Sequence, residues 1–315
     1  MDTPTFLKKY VERLVELGDK FGAEGADLQF GPHTVAKDIC VYYYAEMFAK
    51  IARGPHAQAK GYGGAVYLDL FSGAGVISVG EKADLIAGSP IAATSTRFPF
   101  DYSVFVELNP ARATLLEKRL SSYLPDHNFM VRCGNSNDLI QEVISKVKEK
   151  VKKPIVLAFI DPEGMEAKWE TARALSDAFT NIDFMINVTA GAARVAGRIE
   201  GGIAADIPIF NDFFGPNAAE ILTQLNQGLR VGTVYEKGVK EVLGRTQGAT
   251  IDICGGRGRI VYHLLGYTRN SWTGSPWADG FRTLKGHLDG INDDDLSRVL
   301  DVVKKRQNSL SDWFR

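Results

Sequence analysis

The sequence predicts a doubly wound α/β sheet with an N-terminal helical extension and a C-terminal helix. Five short apolar runs follow one another along the chain, and segments long enough for crossover helices separate them. A tight glycine turn follows the first of these runs. In a sheet of this kind the strands run parallel, helices cover both faces, and ligands bind at the carboxyl ends of the strands.

The first 60 residues are expected to form the helical extension. Apolar residues from Phe6 to Leu17 recur at helical spacing and stop at Gly18. Thr34 is expected to cap a second helix that runs through Ile51. The predicted organisation is a helical extension over 1–60, a sheet domain over 61–270 and a helical tail over 271–315.

The five strands are read from their apolar runs, each four to six residues long and bounded by turn residues. They are predicted at 66–70, 103–108, 129–132, 155–160 and 183–187. Two more strands are predicted at 230–235 and 259–265, and the stretch between 187 and 230 is left unassigned. Asn292 precedes three aspartates and a basic run follows, which predicts a capped terminal helix.

The composition excludes several classes of function. The 37 Lys and Arg residues nearly balance the 38 Asp and Glu residues, so no overall field draws the chain to a polyanion or a membrane. The three cysteines form no Cys-x-x-Cys pair and the five histidines are scattered, so neither a disulfide framework nor a metal site is indicated. The acids among the first 20 residues argue against a signal peptide, and no run of about 18 apolar residues is present, so no membrane span is expected. We expect a metal-free cytoplasmic protein without a membrane partner.

The glycine turn, DLFSGAG at 69–75, is the first candidate for a ligand site. Gly73 and Gly75 lack side chains, so the backbone there can approach a ligand and present its N–H groups. Taken alone, the turn fits an ordinary strand-to-helix connection equally well. Glu81 at the lysine position disfavours a nucleoside triphosphate, and Ser78 in place of a third glycine disfavours a nicotinamide dinucleotide. S-adenosylmethionine (SAM), which has no phosphate, fits the turn best.

An acid ends the second predicted strand. Glu107 stands where a carboxylate can accept both ribose hydroxyls of a nucleoside ligand. Its distance from Gly73 along the chain exceeds the roughly 20 residues of a plain dinucleotide unit. Ser89 as a cap and Pro90 as the first helical residue account for this spacing by starting the crossover helix late. The stretch 72–88 is therefore predicted to be an extended loop over the cofactor.

Polar residues also follow the third and fourth strands. Asn135 or Asp138, beside Ser136, can bond the adenine amino group, although an ordinary helix cap explains them equally well. Asp161, which opens the run DPEG, is expected to face the substrate and to hold an amine or hydroxyl or accept its proton. Glu163 is a second catalytic candidate, with a solvated turn residue as the alternative. The cofactor-binding candidates are Asp69, Phe71, Ser72, Gly73, Gly75, Ser89, Glu107, Asn135, Ser136 and Asp161.

The order and spacing of these motifs resemble the three-Cys-motif partner (TcmP) family of methyltransferase-like proteins, over roughly 34–265. The resemblance implies a Rossmann-like, class I methyltransferase domain that binds SAM. It rests on the turn at 69–75, the run Gly88-Ser89-Pro90, Glu107 and the run at 161–164.

The chain departs from the family pattern at two positions. Glu163 replaces an aromatic residue, which in base-methylating relatives of the fold stacks on a flipped base. Asn135 replaces an aspartate that the family often carries in the third-strand loop. Lys37, with His33 nearby, matches a lysine that the family tends to have near the start of its N-terminal helix.

Arginines interleaved with aromatic residues favour nucleic acid as the methyl acceptor, although they also occur on ordinary surfaces. Protein and small-molecule acceptors stay open. A second hypothesis is a methyltransferase-like binding or partner module without catalysis, and a third, a nicotinamide-dependent oxidoreductase, is disfavoured by the missing third glycine. The substrate-binding candidates are Lys37, Arg194 and Arg198, with Arg257, Arg259, Arg269, Trp272 and Trp277 near the C-terminus.

Overall fold

A computed structural model describes residues 1–26, 28–124, 127–269 and 276–307. Ten strands form two sheets within these ranges. The strands are β1 (Gln29–Phe30), β2 (Gly64–Asp69), β3 (Val76–Val79), β4 (Asp84–Ala87), β5 (Tyr102–Glu107), β6 (Phe129–Cys133), β7 (Pro154–Ile160), β8 (Ile182–Thr189), β9 (Gln247–Cys254) and β10 (Ile260–Thr268).

Helices alternate with strands between residues 89 and 200, as a doubly wound fold requires. They are α1 (Thr3–Phe21), α2 (Thr34–Ala52), α3 (Pro55–Ala59), α4 (Ser89–Thr94), α5 (Pro110–Tyr123), α6 (Ser136–Lys150), α7 (Trp169–Ala178), α8 (Ala192–Glu200), α9 (Ile207–Phe214), α10 (Ala218–Asn226), α11 (Val231–Glu241), α12 (Pro276–Leu288) and α13 (Asp293–Val303).

The main sheet has seven strands in the order β6-β5-β2-β7-β8-β10-β9. The first five run parallel, and β10 is antiparallel to both of its neighbours. The five parallel strands and the strand predicted at 259–265 are thus confirmed. Because β10 reverses direction, the loop that enters it lies at the carboxyl edge of the parallel strands.

Both faces of the sheet are covered, which explains the near-continuous apolar runs of its strands. Side chains alternate along β2, so that Tyr67 packs on one face while Val66 and Leu68 pack on the other. Helices α1, α2, α4, α5, α12 and α13 cover the Tyr67 face. Helices α6, α7, α9, α10 and α11 cover the opposite face. Both chain ends therefore contribute helices to the same layer.

The stretch 72–88 is a hairpin and not the predicted extended loop. Strands β3 and β4 pair antiparallel within it, and β1 adds to β3 to complete a small three-stranded sheet. Helix α1 packs directly on this hairpin, since a Cβ at Gly18 would lie 2.6 Å from the backbone of Ile86. Helix α4 begins at Ser89 with Gly88 in the cap position, so Ser89 is not the cap that the sequence predicted.

Two further sequence predictions need correction. Residues 230–235, predicted as a strand, begin α11, because Val231, Val234, Tyr235 and Val239 form one buried stripe at helical spacing. Strand β9, which the sequence analysis missed, pairs with β10 along the edge of the sheet.

The helix starts agree more closely with the sequence. Thr34, the predicted cap, is instead the first residue of α2, and His33 stands in the cap position. Asn292 caps α13 as predicted, through a reciprocal pair of hydrogen bonds with Asp295. Within the described ranges every helix is too short or too polar to cross a bilayer.

Candidate functional site

Three carboxylates stand at the carboxyl ends of three adjacent parallel strands. Asp69 ends β2, Glu107 ends β5, and Asp161 directly follows β7. Since β2 lies between β5 and β7, the three side chains line one edge of the sheet around the glycine turn. The sheet therefore brings together the acids that the sequence analysis selected.

Glu107 holds the glycine turn by hydrogen bonds. Its Oε2 accepts from the backbone N–H of Gly73 at 2.8 Å, and its Oε1 accepts from that of Asn109 at 2.8 Å. The Ser72 hydroxyl donates to the carbonyl of Val106 at 3.1 Å. Each carboxylate oxygen of Glu107 retains a further acceptor position, so the residue can still bind a pair of hydroxyls.

The two glycines of the turn have different roles. Gly73 has φ +61°, and a Cβ built there meets nothing within 4 Å, so open space lies in front of its backbone. Gly75 has φ +84°, and a Cβ there would lie 3.0 Å from both Ile91 and Leu116. The space at Gly73 fits a ligand that approaches the backbone, whereas Gly75 is required by internal packing.

A buried arginine fixes the outer side of the turn. Arg119 on α5 donates to the carbonyl of Ala74 at 2.6 Å and to the carbonyls of Gly22 and Glu24 at 3.2 and 2.5 Å. The guanidinium thus ties the turn to the segment that follows α1. This contact gives the N-terminal helices a direct connection to the candidate site.

Asp69 is fully buried and serves as a hydrogen-bond acceptor. Its carboxylate accepts from Ser89 Oγ at 2.6 Å, from the Tyr67 hydroxyl at 3.1 Å and from the backbone N–H of Phe71 at 3.3 Å. Burial raises the pKa of Asp69 to about 7, although the Ser89 hydrogen bond opposes the shift. Ser89 therefore stabilises the carboxylate form of Asp69 by its hydrogen bond. Phe71 is half-buried and packs against the core on the far face of the sheet.

The loop after β6 combines a helix cap with a buried hydroxyl. Asn135 caps α6, since its Oδ1 accepts from the backbone N–H of Asn137 at 2.9 Å. Ser136 is buried, and its Oγ has no hydrogen-bond partner. Asp138 is exposed. Ser136 is thus the residue of this loop that offers an unsatisfied polar group to a ligand.

Asp161 is the centre of a charged network. The ammonium of Lys37 on α2 donates to both of its carboxylate oxygens, at 2.9 and 2.8 Å. Asn187 on β8 donates to Asp161 Oδ1 at 2.6 Å, and its own Oδ1 is buried without a partner. The side chains of Lys37 and Asp161 are only 15% and 17% exposed, so the pair is largely shielded from solvent.

The network extends to residues that the sequence analysis did not select. The Lys37 ammonium lies 5.3 Å from the centre of the Tyr262 ring, and the Tyr262 hydroxyl donates to the carbonyl of His33 at 2.7 Å. Asp293, at the start of α13, accepts from the backbone N–H of His33 at 2.8 Å. Asn187 could have been selected from the sequence, because it is the polar residue near the end of a buried apolar strand.

Glu163 and the arginines lie at the rim. Glu163 is exposed in the turn after β7. Arg194, after β8, is exposed, and Arg198 pairs with Asp206 at 2.8 Å. The exposed Arg257 and Arg259 stand in the loop that enters β10, and hence at the same edge of the sheet as Asp161.

The remaining C-terminal candidates do not join this edge. Arg269 follows the carboxyl end of β10 and therefore lies at the opposite edge of the sheet. Trp277 packs against Phe48, with the ring centres 4.7 Å apart. Trp272 lies outside the described residues. Among the residues that the structure does describe, no three His, Cys, Asp or Glu side chains are arranged to bind a metal ion.

The order of the seven strands, with its single reversed strand next to the edge, is typical of one family of folds. The chain has the class I methyltransferase fold. No protein-family profile matches the sequence, and no curated protein is significantly similar to it. The resemblance to the TcmP family therefore stays a prediction.

Solved structures of similar fold include Trm1 from Pyrococcus horikoshii in complex with SAM, at 9% identity and a TM-score of 0.43. That match covers 80% of this chain and 58% of Trm1, so this chain spans little more than half the length of that protein. LPL1258 from Legionella pneumophila has 12% identity and a TM-score of 0.41, over 80% of this chain and 93% of that one. An O-methyltransferase from Bacillus cereus in complex with S-adenosylhomocysteine has 11% identity and a TM-score of 0.42, over 83% and 91%.

Proposed function

We propose that this chain is a SAM-dependent methyltransferase in which Asp161 positions or deprotonates the methyl acceptor. The observation that carries the proposal is that Asp69, Glu107 and Asp161 stand at the carboxyl ends of three adjacent strands, next to a glycine turn with open space in front of Gly73. This is the carboxyl edge of the sheet, where ligands of doubly wound folds bind. SAM, when bound, supplies a methyl group activated by its positive sulfonium.

The side chains present fit each part of SAM. Glu107 has free acceptor positions for the ribose hydroxyls, and Ser136 has a buried hydroxyl without a partner near the expected adenine. The turn at Gly73 leaves room for the cofactor next to its backbone. Asp69 supplies a buried acidic group beneath the turn. Together these groups suit a ligand in which a nucleoside is joined to a cationic amino acid.

The groups around Asp161 suit the acceptor. Lys37 and Asn187 fix the orientation of its carboxylate, and the neighbouring carbonyl of Pro162 lies 3.5 Å from the Asn187 amide nitrogen. An acceptor amine or hydroxyl that displaced Lys37 from one oxygen would be held by that oxygen and would pass its proton to Asp161. Glu163 stands outside this network.

Titration with S-adenosylhomocysteine tests the proposal. We expect binding to the wild type and, for Glu107→Ala, binding weaker by about 10- to 100-fold, because a carboxylate hydrogen bond to the ribose is lost. The matched control is Glu142→Ala, a half-buried acid on α6 that pairs with Arg132. Absence of binding to the wild type would overturn the enzyme proposal and favour the alternative of a catalytically inactive partner module.

We further propose that nucleic acid is the acceptor, on the strength of the exposed Arg194, Arg257 and Arg259 at the edge of the sheet that carries Asp161. Arg194→Ala and Arg257→Ala are each expected to weaken binding to a short RNA or DNA and to reduce the salt dependence of log K by about one unit of slope. Arg269→Ala, at the opposite edge, is the matched control. Equal effects of all three substitutions, or none, would favour a protein or small-molecule acceptor.

A further inference from the structure

Asp38 is a buried acid whose presence the packing of the described residues does not explain. It lies on α2 among apolar neighbours, is 5% exposed, and its Oδ2 has no hydrogen-bond partner. A buried acceptor without a partner destabilises a fold by about 1–3 kcal/mol. An apolar side chain at this position would avoid that loss, so packing alone does not account for an acid here.

The surroundings of Asp38 place it at the candidate site. It follows Lys37 directly, and the charges of Asp161 and Asp69 are close enough to act on its carboxyl. Burial raises the pKa of Asp38 well above its usual range; Lys37 opposes this shift, and the two acids add to it. Among the described residues, this region thus combines the carboxyl groups of Asp38, Asp69 and Asp161 with the ammonium group of Lys37.

This region has an excess of acids over bases, so it favours a cation. Within the described residues the acids do not form a metal-ligand set. An organic cation fits better, because an ammonium group carries three N–H donors and can satisfy several carboxylate oxygens at once. The cofactor of the proposed function carries such a group on its amino-acid end.

We infer that Asp38, together with Asp69, binds the α-ammonium group of the cofactor. The inference rests on the proposed function and adds a binding residue from α2, which lies outside the chain segment that forms the parallel strands. Lys37, one position earlier on the same helix, faces Asp161 and the acceptor. Helix α2 therefore contributes adjacent side chains to the two halves of the site.

The test compares two probes by calorimetric titration. S-adenosylhomocysteine carries the α-ammonium group, whereas 5′-methylthioadenosine has the same nucleoside and sulfur but no amino-acid part. Asp38→Asn keeps the shape of the side chain and removes its charge. It is expected to weaken S-adenosylhomocysteine binding by about 10- to 100-fold and to leave methylthioadenosine binding within about twofold of wild type.

Asp183→Asn is the matched control, because Asp183 is equally buried, on β8, and bonded to the Tyr44 hydroxyl at 2.7 Å. It is expected to change neither affinity. Equal weakening of both probes by Asp38→Asn, or no weakening of either, would overturn the inference while the proposed function stands. Failure of the wild type to bind either probe would instead overturn the proposed function.

If Asp38→Asn does not fold, the inference is tested on the wild type with two ligands. An S-adenosylhomocysteine analogue that lacks only the α-amino group is expected to bind at least about tenfold more weakly than the parent compound. Equal affinities for the analogue and the parent would overturn the inference.

Discussion

Replacing Asp161 with asparagine is expected to lower methyl transfer from SAM by about 10²- to 10⁴-fold while cofactor affinity stays within a few-fold of wild type. The carboxylate of Asp161 is the acidic group that faces the expected acceptor, and an amide cannot accept the acceptor's proton. Asparagine retains a side-chain oxygen at the same position, so the Asn187 hydrogen bond can persist. The loss should therefore appear in the transfer step.

The measurement uses tritium-labelled SAM with unmodified RNA transcripts and synthetic DNA as acceptors. Glu163→Gln is the control, because Glu163 is an exposed acid two residues along the same turn. We expect this control to retain transfer within about threefold of wild type, as is usual for surface substitutions. Full transfer by Asp161→Asn, or loss in Glu163→Gln alone, would assign catalysis to a different residue.

Lys37→Met distinguishes a positioning role for the lysine from a purely structural one. The ion pair between Lys37 and Asp161 joins α2 to the carboxyl edge of the sheet. If the lysine positions Asp161, Lys37→Arg restores part of the transfer that Lys37→Met loses. If its role is only structural, the two variants differ in unfolding free energy and not in transfer rate.

The parallel half of the fold was predictable because its strands are buried on both faces. Runs such as 155–160 have no polar interruption, so the reading does not depend on periodicity. The edge of the sheet was harder to read. Strand β9 alternates buried and half-buried residues and carries Gly248, which packs against the backbone of Gly266. This pattern predicts a strand only weakly from sequence. The glycine is required by the close approach of the neighbouring strand, which the sequence does not show.

The error at α11 has a related cause. Its first residues, VGTVY, combine β-branched side chains with glycine and favour a strand by local propensity. The helical stripe becomes visible only when Val239 is included, and Gly238 is explained by its close approach to Trp169. Tertiary packing outweighs local propensity at this position.

The residues of the candidate site also differ in how well the sequence predicts them. Glu107 and Asp161 follow apolar runs, so the strand that ends at each residue predicts its position. Asp38 and Tyr262 are brought to the site by packing between distant parts of the chain. Their only sequence signal is a polar group within an apolar element, and this signal does not identify the partner.

The stability of the protein is expected to fall as the pH rises from about 4 to about 7, and Asp69→Asn is expected to remove much of this dependence. Burial raises the pKa of Asp69 from 3.8 to about 7 in the folded state. Between these two values the folded chain keeps a proton that the unfolded chain has lost. The resulting contribution to stability is complete below about pH 4 and is lost as the pH rises through about 7. A shift of this size corresponds to about 4 kcal/mol.

Urea unfolding of wild type and variant at pH 5 and pH 8 measures the effect. The difference in the pH dependence of the unfolding free energy between the two proteins gives the contribution of Asp69, separate from that of the other buried acids. Asp183→Asn serves as the control, because burial raises the pKa of Asp183 to about 6 and its share should be smaller. Equal pH dependence in wild type and Asp69→Asn would show that Asp69 ionises freely in the folded protein.

The same titration links stability to the cofactor. Above pH 7 the ionised Asp69 is a buried charge whose hydrogen-bond partners among the described residues are neutral, and a bound ammonium group would provide a cation. S-adenosylhomocysteine is therefore expected to stabilise the protein more at pH 8 than at pH 5, and its desamino analogue to stabilise it equally at both. A pH-independent effect of both compounds would place the ammonium away from Asp69, whatever the affinity of the site for the nucleoside.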